Sequence, residues 1–238
     1  MSSVYGINRL FYEDARWFIG KLLLMYITLP LAIAWTILAV SVDLGDTLTS
    51  IVGPAYFFFI PAYGILAFKG LLPIAMGIGS TRTQLLKTFY LIGTSAILAY
   101  ILFLNVFQLV IASLYHRGIA SSSILHPGLL HSQEYLFLPY LWIDLMFALA
   151  MFGGAFFIYC LTYRVGITQT LIATMVIGIS AMFLYYSGML EGPIEWLLSL
   201  DMSAIAIFTV AGVVGLSALL ATYPLMKNAS LLPKGKKE

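Results

Sequence analysis

The sequence predicts an all-helical integral membrane protein, on the evidence of its composition, its apolar runs and the placement of its charges. Of the 238 residues, 61% are apolar and 9% are charged, and the mean hydropathy is +0.98. So few charged residues cannot cover an apolar interior with the polar surface that a water-soluble domain needs. About 20 apolar residues cross the roughly 30 Å core of a bilayer. We therefore expect one transmembrane domain over 1–238, with six spans and no separate soluble domain.

Six apolar runs separated by polar or glycine- and proline-containing segments are the expected spans. Pro30 is expected to kink the first span, and Pro54 and Pro61 to bend the second. The expected bounds of the six spans are about 22–42, 51–72, 88–114, 138–161, 168–189 and 204–223.

Charged and aromatic residues alternate in the first 21 residues, ahead of the first span. As a helix, this segment places Leu10, Trp17 and Phe18 on one side and pairs Glu13 with Arg16 at i, i+3, a pattern typical of a helix in the membrane interface. A secretory signal would instead have a short basic head and a brief apolar core. We expect an interfacial helix, with a frayed terminus as the alternative.

Basic residues indicate the orientation of the spans. Eleven of the twelve Lys and Arg residues fall in segments that the expected spans place on one side, including the tail 224–238, and Arg117 falls on the other. Short cytoplasmic loops are rich in Lys and Arg, so we expect both termini in the cytoplasm. On the outer side, Leu190–Ser203 has an apolar and acidic pattern with Pro193, which predicts a short surface helix.

The polar segment Leu72–Lys87 separates the second and third spans. Pro73 is expected to end the preceding helix, and Gly77 and Gly79 to loosen the backbone. Thr81, followed three residues later by Gln84, has the capping-box spacing that begins a new helix.

The pattern L-P-x-A-x₃-G-x-T-R in this segment, formed by Leu72, Pro73, Ala75, Gly79, Thr81 and Arg82, resembles the loop between the second and third helices of bacterial ABC type-2 exporter permeases. The resemblance implies a coupling loop that contacts a separate cytoplasmic ABC ATPase subunit, and a second permease copy or a related permease as partner. It implies ATPase contact by Ile78, Gly79, Ser80, Thr81 and Arg82. It also implies a brace from the amino-terminal helix, formed by Glu13, Asp14 and Arg16, with Glu13 or Asp14 facing Arg82.

Catalytic motifs are missing from the sequence. No G-x-x-x-x-G-K-[ST] loop exists to hold a nucleotide, so we expect no cofactor on this chain, with ATP and Mg²⁺ on the partner ATPase. The net charge of +2 does not favour nucleic acid, and the single cysteine, Cys160, cannot form an intrachain disulfide.

His116, His126, His131 and Glu134 lie in one outer segment, but their spacing matches no familiar metal site. We expect a solvated loop in preference to a metal centre.

Polar residues inside the apolar runs are the remaining candidates, because they are costly in hydrocarbon. Asn105 and Gln108 share one side of the third span and either line a substrate path or join helices. Asp144, near the outer end of the fourth span, is expected to reach the headgroups.

Small residues at i, i+4, Ala150 with Gly154 and Ala211 with Gly215, favour close helix contacts and dimerisation.

The sequence therefore favours the permease subunit of an ABC exporter, which moves an amphipathic cargo such as an antimicrobial peptide, a drug or a lipid-like molecule outward. The alternative is a membrane scaffold or immunity protein that binds a partner without transport. A membrane enzyme is a third reading, for which the polar residues of the spans supply little.

Overall fold

The computed structural model describes residues 3–41, 48–49, 52–119, 123–132, 134–200 and 202–230, and most of them are helical. Six of the helices are long and apolar enough to cross a membrane, which confirms the expected class of a six-helix, multi-pass membrane protein. These six are Val4–Leu38, Ala55–Gly77, Arg82–His116, Phe137–Val165, Ile167–Tyr186 and Ala204–Met226.

The first helix is continuous from Ser3 to Ser41. It consists of α1 (Ser3–Ala15), a π-helical stretch (Arg16–Thr28) and α2 (Leu29–Ser41). No break separates an amino-terminal helix from the first span near residue 22, because the chain remains helical throughout this region.

One side of α1 packs against the bundle. Ile7, Phe11 and Ala15 are buried, whereas Trp17 is 56% exposed. These three recur at four-residue spacing and so form one apolar stripe. The stripe packs onto the bundle, Leu10 and Phe18 are partly buried against the same core, and Trp17 is left exposed.

Prolines follow π-helical stretches in the first two spans. The first stretch ends two residues before Pro30, where the Leu29 N–H bonds to a carbonyl five residues back. A second stretch, Ala55–Phe59, lies between Pro54 and Pro61 and leads into α3 (Ile60–Gly77). A proline cannot donate to the helical ladder, and π-helical turns are a frequent accompaniment of such interruptions.

Pro73 does not end the second helix, contrary to the sequence-based expectation. It lies inside α3, which continues to Gly77. Helices in membrane proteins tolerate an internal proline where neighbouring groups satisfy the freed backbone.

The remaining elements are α4 (Arg82–His116), α5 (Phe137–Val165), α6 (Ile167–Tyr186), α7 (Glu191–Ser199) and α8 (Ala204–Met226). The helix α7 confirms the short helix expected before the last span.

The segments before the second and fourth helices are joined at one end of the bundle. The two-residue strands β1 (Leu48–Thr49) and β2 (Ser123–Ile124) pair in parallel, and a 3₁₀ turn follows at Pro127–Leu130. The tail residues 231–238, with three of the counted lysines, lie outside the described part of the chain.

Aromatic rings fill the centre of the bundle. Phe89 of α4 is fully buried, and its ring centroid lies 4.6 Å from Phe156, 5.5 Å from Phe68 and 5.7 Å from Phe11. Tilted and edge-to-face pairs at these separations are favourable beyond the area that they bury. This cluster joins the first four helices into one core.

Glycines allow α5 and α8 to approach closely. A Cβ atom on Gly153 would collide with the backbone oxygen of Gly215, and one on Gly215 would collide with the backbone of Ala150. The expected contact positions Ala150 and Gly215 are therefore confirmed. Gly154 faces open space, so its neighbour Gly153 makes the contact instead.

The helix α6 stands apart from the bundle. None of its residues is buried, although all 20 are helical. Its surroundings differ from those of α5, which buries side chains along its whole length.

Candidate functional site

The turn between α3 and α4 contains only the four residues Ile78–Thr81, so the polar segment expected over Leu72–Lys87 is largely helical. Gly79 has a φ of +79°, a conformation that favours glycine. Ser80 donates from both its N–H and its Oγ to the carbonyl of Ala75, at 3.2 Å and 2.6 Å. These bonds make the turn compact and bury Ser80, while Ile78, Gly79 and Thr81 remain exposed.

A capping box begins α4, as the sequence predicts. Thr81 Oγ1 accepts from the Gln84 N–H at 3.2 Å, and Gln84 Oε1 accepts from the Thr81 N–H at 3.2 Å. Arg82, the first residue of α4, is half-buried and interacts electrostatically with Tyr163 at the end of α5. The turn is therefore fixed to both of its helices.

The amino-terminal helix lies against this turn. A Cβ on Gly6 would be 3.4 Å from the Cδ1 of Ile78, so the two residues are in contact. Further along, Thr88 Oγ1 donates to Asn8 Oδ1 at 3.0 Å. The helix α1 thus supports the turn through backbone proximity and a polar contact.

The carboxyl-terminal end of α8 lies at the same end of the bundle. Tyr163 Oη donates to the Ser230 carbonyl at 2.9 Å, and Arg164 donates to the Leu225 carbonyl at 2.7 Å. Both described ends of the chain therefore gather with the turn.

The expected ion pair between the brace residues and Arg82 is not formed. Glu13 pairs with Arg16 at 3.7 Å, and both side chains are exposed. The helices α1 and α4 run side by side in one direction. Asn8 of α1 lies opposite Thr88 of α4. Asp14 is six residues after Asn8, and Arg82 is six residues before Thr88, so the two are offset by about 18 Å along the helices at 1.5 Å per residue. Among the described residues, the brace is therefore made by residues at the start of α1.

A buried polar cluster occupies the opposite end of the bundle. Asp144 of α5 is fully buried, so the expectation that it reaches the headgroups is wrong. His126 Nδ1 lies 2.7 Å from Asp144 Oδ2, and Asn105 Nδ2 donates to the same oxygen at 3.0 Å. A carboxylate in an apolar bundle requires such partners, because an unpaired buried charge is costly.

Asn105 makes contacts that join two helices. Its side chain joins α4 to α5 through Asp144, and its backbone carbonyl accepts from Tyr135 Oη at 2.7 Å. These contacts fit the helix-joining role, and the role in a substrate path stays a prediction. Gln108, one turn further along α4, is buried on the same side.

The three histidines have different surroundings. His116 and His131 are exposed, as expected for a solvated loop, but His126 is 3% exposed. Among the described residues, no three His, Cys, Asp or Glu side chains group as metal ligands. An aspartate inside an apolar run needs a polar partner, so Asp144 was the feature of the sequence that could have indicated a buried histidine.

A groove with a volume of about 610 Å³ lies between the π-helical stretch of the first helix and α4. Small residues line it, among them Gly20, Ala96 and Ala99, together with Tyr12 and Arg16. Its size and apolar walls suit an elongated amphipathic molecule.

No family model, curated protein or solved structure matches this chain. The functional argument therefore rests on the contacts described above.

Proposed function

We propose that this chain is the transmembrane permease subunit of an ABC exporter in a bacterial plasma membrane, with both termini in the cytoplasm. The observation that carries the proposal is the turn Ile78–Thr81. It is capped on both sides, it rests on α1, and it presents Ile78, Gly79 and Thr81 outward. Eleven of the twelve basic residues fall in the segments assigned to this side, which supports its cytoplasmic orientation.

Force applied to such a turn is transmitted directly to α3 and α4. A partner ATPase, which holds ATP and Mg²⁺, pushes on the turn when its two copies close. The two helices then move as rigid bodies and open the outer side of the bundle, in the manner of alternating access. This chain supplies the path, and the ATPase supplies the energy.

The cargo is an amphipathic molecule such as a peptide, a drug or a lipid-like compound. The groove beside the first helix supports this choice, since its lining is mostly apolar and includes Arg16. A second permease copy, or a related permease, completes the path. The exposed α6 offers an apolar surface to such a neighbour.

Reversal of the charge at Arg82 tests the proposal. Arg82→Glu places an unpaired negative charge beside the proposed ATPase contact, where burial of that charge costs several kcal/mol. We expect ATPase binding and cargo export in reconstituted vesicles to fall by about tenfold or more, the equivalent of 1.4 kcal/mol or more. Thermal unfolding of the isolated subunit should change little.

Lys87→Glu is the matched control, because it makes the same charge reversal on an exposed side chain of α4 away from the turn. It should retain ATPase binding and export. Normal export by Arg82→Glu would remove the assignment of the coupling contact to this turn. A chain that binds a partner without ATP-dependent export would favour the scaffold or immunity function.

A further inference from the structure

The outer segment that contains the 3₁₀ turn Pro127–Leu130 is held onto the bundle by polar contacts. His126 reaches Asp144, and Tyr135 Oη donates to the Asn105 carbonyl. Tyr140 Oη donates to the Ser132 carbonyl at 2.7 Å. The segment therefore covers the buried cluster and is attached at several points.

Close packing reinforces these attachments. A Cβ on Gly128 would meet the ring of Tyr140 within 2.5–2.8 Å, so the backbone of the segment lies directly on that ring. The His126 and Tyr140 ring centroids are 6.3 Å apart. Both ring contacts place the segment over the first turn of α5.

The cluster has oxygen atoms that lack hydrogen-bond partners. In the described part of the chain, Asp144 Oδ1, Asn105 Oδ1 and the Tyr56 hydroxyl have none, and all three residues are at most 1% exposed. Tyr56 lies near Asp144, and its hydroxyl is a donor that faces the carboxylate. Buried oxygens without partners mark a site that receives a donor, since leaving them unpaired is costly.

We propose that Asp144 and His126 together form a proton-binding site that controls the closure of the outer segment. With one exchangeable proton, the pair is electrically neutral, whether the proton is on the carboxylate or on the imidazole. Without it, a neutral imidazole faces a carboxylate, and the bundle contains a net negative charge.

Other ionisable groups near Asp144 do not replace this proton. The facing groups are the phenols of Tyr56 on the second helix, Tyr135 on the outer segment and Tyr140 on α5. Burial, together with the charges of Asp144 and Tyr140, raises the pKa of Tyr135 above its ordinary value, so this phenol stays a donor. Among the described residues, His126 is the ion-pair partner of Asp144.

The charge count gives a direction for the pH dependence. The closed segment excludes water from the pair, so closure favours the neutral, protonated form. An open segment exposes His126 to water and tolerates the charged form. By linkage, a lower pH favours the closed segment and a higher pH favours the open one.

Hydrogen exchange of the outer segment measures this equilibrium in the purified full chain in lipid nanodiscs. Exchange over 123–136 is followed from about pH 5 to about pH 8, the range in which imidazoles usually titrate. Rates are divided by those of an unstructured peptide of the same sequence, which removes the intrinsic pH effect. We expect the corrected opening to increase with pH by up to about tenfold per pH unit, the limit for one exchanged proton.

Three variants identify the responsible groups. Asp144→Asn keeps a polar side chain but leaves the imidazole without its carboxylate, so the corrected opening should no longer increase with pH. The double variant Asp144→Asn with His126→Gln removes both ionisable groups, and its corrected opening should be independent of pH. Glu134→Gln removes an exposed carboxylate from the same segment and should retain the wild-type dependence.

A pH-independent opening in the wild-type chain overturns the proposal. So does an increase with pH that survives in the folded Asp144→Asn variant, or any pH dependence in the folded double variant. If neither of these variants folds, the wild-type chain decides. A rise confined to 123–136 supports the proposal, and a flat profile, or an equal rise throughout the chain, contradicts it.

Discussion

At the scale of single residues, two neighbouring glycines of α5 have opposite surroundings. Gly153 faces the backbone of α8 at Gly215, with no room for a side chain, while Gly154 has no atom within 4 Å of the position of a Cβ. Close backbone approach at small residues is a principal source of attraction between membrane helices, because hydrocarbon surfaces gain little by leaving lipid. One methyl group should therefore have different effects at the two positions.

Gly153→Ala is expected to destabilise the protein, since α5 and α8 must separate to admit the methyl group. Overpacking of this kind costs about 1–3 kcal/mol, and about 2–4 °C of melting temperature accompanies each kcal/mol in a chain of this length. Gly154→Ala should be neutral or should stabilise by up to about 1 kcal/mol through helix propensity. Thermal unfolding in detergent measures both variants, and equal effects would contradict the packing described for α5 and α8.

At the scale of elements, α6 differs from every other long helix in having no buried residue. Its neighbour α5 carries buried residues such as Leu149, at 5% exposure, whereas Leu171 of α6 is 60% exposed. Because α6 is apolar all round, only lipid or another protein subunit can cover it in a membrane. Its side chains therefore contribute little to the stability of a single chain.

Leu171→Ala should change the unfolding free energy of the isolated chain by no more than about 0.5 kcal/mol, the usual range for exposed positions. Leu149→Ala makes the same change in the core and should cost about 2–5 kcal/mol. Denaturant unfolding of the detergent-solubilised monomer provides the comparison. A large loss in Leu171→Ala would show that α6 packs on its own bundle.

At the scale of the whole molecule, the turn Ile78–Thr81 and the outer segment lie at opposite ends of α4. That helix has 35 residues and so measures about 50 Å, more than the roughly 30 Å core of a bilayer. Ile78 and Leu130 are 48% and 73% exposed, and the single native cysteine, Cys160, is fully buried. The two exposed positions therefore report the two sides of the membrane.

A cysteine introduced at position 130 should react with a membrane-impermeant maleimide in intact cells. One introduced at position 78 should react only after permeabilisation, because the orientation proposed from the basic segments places that end in the cytoplasm. The unmodified chain is the control and should remain unlabelled, since its thiol is buried. Labelling of position 78 in intact cells would reverse the proposed orientation and exclude an ATPase contact at this turn.

Several features could be predicted because they depend on local sequence or on the bilayer. The number of spans follows from the length of the apolar runs, since membrane thickness sets the length of a crossing helix. The capping box at Thr81 needs only residues three positions apart, and its bonds form as expected. Small residues at helical spacing also marked Ala150 and Gly215 as contact positions, although the sequence did not pair these two with each other.

Tertiary structure decided the features that depend on the rotation of helices and on contacts distant in sequence. A helix that is apolar all round does not reveal which side faces the core, so Gly153 could not be distinguished from Gly154. The partner of Asp144 is 18 residues away in a polar segment, and only the fold-back of that segment brings His126 to the carboxylate. Local sequence preferences cannot predict such a contact, because the contact becomes strong only when the assembled bundle excludes water from it.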